Sequence, residues 1–146
     1  MKKRFCLAVL LAVALIGVEA RAADDLEAFQ GTWKLVRGES NGQEIPDDKL
    51  PNGKVTFEKD HFEVTFGDQT AEGTIKIDAD RDPKTFDAEH ESGADRGKTQ
   101  YGIYKFEDEK LIVCSAAPGS PEIERPTEFR TRPDGNEVLF EFEREN

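Results

Sequence analysis

From residue 31 onward apolar residues recur at every second position, and Gly, Pro, Asn or Asp interrupts them roughly every ten residues. This alternation restricts the fold more than any other feature, because a two-residue period leaves one face to bury and one to wet, as only a pleated strand does. Strands are expected at residues 32–37, 54–58, 61–66, 69–77, 85–88, 99–107, 111–115, 127–132 and 137–144. In the clearest hairpin Val55 and Phe57 alternate with polar residues, and Phe62, Val64 and Phe66 do the same beyond Lys59 and Asp60. Leu111 to Cys114 is apolar on both faces, which predicts cover on both sides. Residues 127–132 and 137–144 read as a last hairpin turning through Pro133-Asp134-Gly135-Asn136.

About nine short strands, mostly neighbours in sequence, predict an all-β, antiparallel, up-and-down barrel, since a Greek-key sandwich needs long connections between its sheets. Closure also removes exposed edges. Residues 24–29 can form one helical turn capped by an Asp ahead of the first strand, and residues 47–50 another before Pro51.

The N-terminus follows different rules. Lys2, Lys3 and Arg4 precede an uncharged run of 14 residues, Phe5 to Val18, and Ala20-Arg21-Ala22 has the small-x-small pattern of a processing site. Residues 1–22 therefore read as a signal peptide removed after Ala22, and residues 23–146 as the single barrel domain. The run is shorter than the roughly 20 residues of a spanning helix, so no membrane insertion is expected after cleavage. The expected destination is the periplasm, or the extracellular side at the cell surface or beyond.

Removing residues 1–22, with four cations and one anion, deepens the net charge from −11 to −14. Nucleic acid is not an expected partner, because phosphate binding draws on Lys and Arg. Only Cys114 lies beyond residue 22, so no internal disulfide is possible, and its apolar run suits a small buried hydrophobe.

Catalytic chemistry lacks parts. His61 alternates with Phe62 and should face water, and His90 falls in a charged stretch expected to be a loop. No spacing joins either to metal ligands or to a nucleophile. Asp78, Asp80 and Asp82 imitate a calcium loop, but Pro83 stands where the sharp turn needs Gly. No enzyme, metal or cofactor is expected.

The segment Phe29-Gln30-Gly31-Thr32-Trp33-Lys34-Leu35 is similar to the Gly-x-Trp opening of lipocalins. The order of further motifs extends the likeness over residues 29–143. They are Asn41-Gly42 with Ile45-Pro46, Val55-Thr56-Phe57, Glu72-Gly73-Thr74, Asp82-Pro83-Lys84-Thr85, Gly97-Lys98-Thr99, Gly102-Ile103-Tyr104 and Arg125-Pro126-Thr127-Glu128-Phe129. Together they resemble a lipocalin-like family of secreted domains expanded in planctomycete bacteria. The resemblance implies a barrel and export, and no particular activity. It also implies that Trp33 plugs the narrow end with an arginine from a late strand across its indole. Arg125 shares parity with Thr127 and Phe129 and fits that place, or it pairs with Glu122 or Glu124.

Two functions follow. In one, the interior binds a small apolar ligand against Trp33, Leu35, Phe57, Phe62, Val64, Phe66, Ile75, Ile103, Phe129, Phe140 and Phe142. In the other, these residues fill the barrel and its surface meets a protein partner; the bulk of the inward positions tilts toward filling. Tyr101 and Arg125 are the polar residues expected to point inward.

Overall fold

The computed structural model describes the backbone of residues 16–145 and the side chains of residues 23–145. Helix α1 (Ile16–Phe29) leads into β1 (Gly31–Ser40), β2 (Gln43–Glu44), β3 (Gly53–Glu58), β4 (His61–Phe66), β5 (Gln69–Asp78), β6 (Thr85–His90), β7 (Thr99–Glu107), β8 (Lys110–Ser115) and β9 (Val138–Arg144). From β3 on, every strand pairs antiparallel with the next, and β1 pairs with both β3 and β9. Eight strands thus close an up-and-down barrel, and β2 is an extra strand on the end of β1. The expected leader lies outside the described residues up to position 15. The helix is longer than the single expected turn, and Asp24 sits within it and does not cap it.

Alternation fixes the interior. In β3, Gly53, Val55 and Phe57 are buried while Lys54, Thr56 and Glu58 are exposed, and β4 presents Phe62 inward beside exposed His61 and Glu63. An irregularity in β1 between Leu35 and Arg37 keeps Trp33 and Leu35 inside while Arg37 faces Glu141 outside. Glycines meet aromatic rings across strand pairs: Gly53 opposes Phe66, Gly73 opposes Phe62 and Gly102 opposes Phe86. At Gly102 a Cβ would lie 2.5 Å from the Phe86 ring, so the large interior rings fold down over bare backbone.

Residues 127–132 do not form a strand. β9 pairs with β8 on one side and β1 on the other, so no ladder is left for that segment. Residues 116–137 instead run over the outside of the barrel with one 3₁₀ turn at Glu122–Glu124. Side chains hold this flap: the Thr131 N–H and hydroxyl donate to Glu39 Oε1, and the Arg132 N–H donates to Glu137. Under it lies a second small core of Ile103, Ile112, Cys114 and Leu139, packed against Phe129. β8 is therefore covered on both faces, as its apolar run requires. Ile103 and Phe129 belong to this outer core, not to the barrel interior, because the inward positions of β7 are Gln100, Gly102, Tyr104 and Phe106.

Candidate functional site

The floor of the barrel comes from the chain on either side of Gln30. The Phe29 ring meets Phe57, Tyr104 and Phe106 edge-on at centroid distances of 5.1, 4.9 and 5.1 Å, contacts worth about 0.5–1.5 kcal/mol each beyond area burial. Trp33 is 2% exposed, and its indole N–H donates to the Phe29 carbonyl at 2.7 Å. The Tyr104 hydroxyl and the Lys84 ammonium both donate to Asp25 Oδ2, at 2.8 and 2.9 Å, tying the helix to the barrel. Burial, and then the Asp25 carboxylate, hold the Tyr104 phenol far above its ordinary range.

The arginine over the indole is Arg144, not Arg125. Its guanidinium carbon lies 4.3 Å from the Trp33 ring centre, and it donates to the carbonyls of Ala28 and Gln30. Arg125 sits on the outer wall 5.0 Å from the Tyr101 ring, donating to the Phe86 and Gly102 carbonyls and to Asp87. Its carrier segment is flap, not strand, so strand parity does not govern its direction. Tyr101 and Arg125 both face outward.

Above the floor a cavity of about 300 Å³ occupies the barrel. Of the expected lining, Phe57, Phe62, Val64, Phe66, Ile75, Phe140 and Phe142 surround it. Trp33 and Leu35 are packed into the interior core without lining the cavity. Phe29, Val55, Ala71, Phe86, Ala88, Leu111 and Val113 extend the apolar wall. The opposite end from the floor is rimmed by exposed Gln69 and Thr70 at the start of β5 and Ala94 in the β6–β7 loop, with Pro118 beyond β8. Val64, Phe66, Val113 and Phe140 are only half-buried although they point inward beside this space.

Sequence reasoning misses the polar part of this wall. His90 is 7% exposed, on the last inward position of β6. Its Nε2 lies 3.0 Å from Gln100 Oε1, and Gln100 Nε2 donates to Ser115 Oγ at 2.8 Å. The charged neighbours Glu89 and Glu91 disguise it as a loop residue, yet its parity with Phe86 and Ala88 was a usable signal.

Asp78, the last residue of β5, accepts from the Asp80 N–H and pairs with Arg81 in the turn that follows. Cys114 is fully buried beneath the flap, its thiol donating to the Arg130 carbonyl and pushed up to about 11 chiefly by burial. Among the described residues no helix is long and apolar enough to cross a membrane. Compared with known proteins, the chain matches no family model and no curated protein.

Proposed function

We propose that this protein is an exported, lipocalin-like, non-catalytic binding protein that holds one small apolar ligand in the upper half of its barrel. The observation that carries the reading is the cavity. Its aromatic and aliphatic wall, about 300 Å³ of space and few polar groups match the lower end of the size range for small-molecule sites, about 300–1,000 Å³. A barrel serving only as a rigid frame for surface contacts has no need of open space above a sealed floor, and packing forces work to eliminate such space. The basic start and 14-residue apolar run at the N-terminus support export to the periplasm or cell surface.

The test is uptake of the uncharged fluorophore N-phenyl-1-naphthylamine, together with native mass spectrometry of protein purified from its own compartment. Saturable enhancement at one site per chain, abolished in Ala88→Trp, supports the reading. A ligand-free mass with no uptake overturns it in favour of a barrel that acts through its surface.

A further inference from the structure

The charges around the cavity say more about its ligand than the apolar lining does. Among the described residues that line it no Lys or Arg occurs, and Asp95 at the open end is the one carboxylate. Lys98, in the same loop, donates to Asp95 at 3.2 Å and is not part of the wall, so its charge is already engaged. The polar side chains farther along the wall are engaged with one another. Gln100 lies between His90 Nε2 and Ser115 Oγ, bonded to both, and His90 Nδ1 is buried out of reach. A headgroup entering the barrel therefore meets no free cation.

We infer that the ligand is an uncharged molecule of about ten non-hydrogen atoms, and that the barrel turns away ions of the same size. This rests on the barrel's being a binding site at all. At roughly 30 Å³ per water-sized group, the space of about 300 Å³ takes a molecule of that size whole, headgroup included. An ionised carboxylate or ammonium taken out of water without a partner costs far more than a neutral ester or ketone. The mouth offers neither ion a partner, because its one carboxylate and the neighbouring ammonium hold each other. The chain's net charge of −11, deeper still without residues 1–22, further lowers the local concentration of anions.

The experiment displaces bound N-phenyl-1-naphthylamine at pH 8 with octanoate, with its uncharged isomer methyl heptanoate, and with nonylammonium. The ester should displace the fluorophore at about tenfold lower concentration than either ion. Hydration alone also favours the ester, and that share is the same in every variant, so the ratio of ester to octanoate potency is followed through three substitutions. Gln69 lines the mouth opposite inward-facing Phe66 and is exposed, so Gln69→Lys sets a cation at the rim. Asp95→Asn frees Lys98. Each should cut the ratio about threefold. Ile123→Lys adds the same charge on the outer wall beside Pro83 and should leave the ratio as it was. Equal or tighter displacement by either ion, a ratio unmoved by both rim variants, or an equal shift in Ile123→Lys overturns the charge selection and leaves the cavity reading intact. Failure of the fluorophore and all three competitors to bind removes the cavity reading, and the selection with it.

Discussion

The guanidinium of Arg144 lies 4.3 Å above the ring of Trp33, on paired positions of the first and last long strands of the barrel. The same cation donates to the Ala28 carbonyl in the last turn of the helix and to the Gln30 carbonyl just past its end. One side chain thus clamps helix, first strand and last strand together.

Arg144→Ala should lower stability by about 1–2 kcal/mol and alter the emission of the protein's single tryptophan. Arg125→Ala should leave that emission unchanged, because Arg125 contacts Tyr101 on the outer wall. Its effect should appear as faster proteolysis within residues 116–137. Tryptophan fluorescence in urea titrations and limited proteolysis separate the two; a Trp33 response to Arg125→Ala would contradict the assignment.

Gly73→Ala should be costly although the new group is one methyl. Its Cβ would collide with the Glu89 carbonyl oxygen and lie 2.6 Å from the Phe62 ring. Overpacking of this kind costs about 1–3 kcal/mol. Gly97 has open space around it, so Gly97→Ala bears only the strain of its positive φ of 84°. Denaturant midpoints of the two variants should rank Gly73→Ala as the less stable.

Glu137 makes part of the stability acid-sensitive. Its carboxylate, 6% exposed, accepts from the Arg132 backbone N–H and from Nε, both at 2.8 Å. The Arg132 side chain, the largest influence, holds its pKa down to about 2 against an ordinary 4.5. A lowered folded-state pKa gives stability that is complete above pH 4.5 and is lost as pH falls toward 2. Arg132 is largely exposed, so screening limits the loss in Glu137→Gln to about 1 kcal/mol at neutral pH. The wild-type minus variant difference, followed by denaturation from pH 7 to pH 2, should shrink below pH 4.5 and not above it.

Cys114 should be inert in the folded protein. With its thiol at about 11 and no exposed surface, it should fail to react with iodoacetamide at pH 8 and react fully in 6 M guanidinium. Ready labelling of the native state would show that the flap opens.

How much of this was legible depends on whether a strand has one wet face. β3 and β4 do, so alternation alone places Phe57, Phe62, Val64 and Phe66 in the interior. Around β7 and β8 both faces are apolar, and alternation cannot tell Ile103, beneath the flap, from Tyr104, beneath the helix. Residues 127–132 alternate like a strand but lie where every ladder position is taken. The two arginines differ for the same reason: Arg144 continues the inward parity of Phe140 and Phe142, a signal available in the sequence, whereas Arg125 sits on a segment without parity. The His90 chain was hidden because its register shows only once β6 extends past Ala88.

Closure by the first and last long strands also orders events during synthesis. Trp33 pairs with Arg144 and Ser40 with Val138, so the seam joins residues about a hundred positions apart. A polypeptide leaving the ribosome N-terminus first holds an open sheet, with the flanks of β1 and β8 bare, until its tail emerges. Fragments that stop short of residue 138 leave the edges of β1 and β8 open to other strands, and the cylinder closes only once β9 is present.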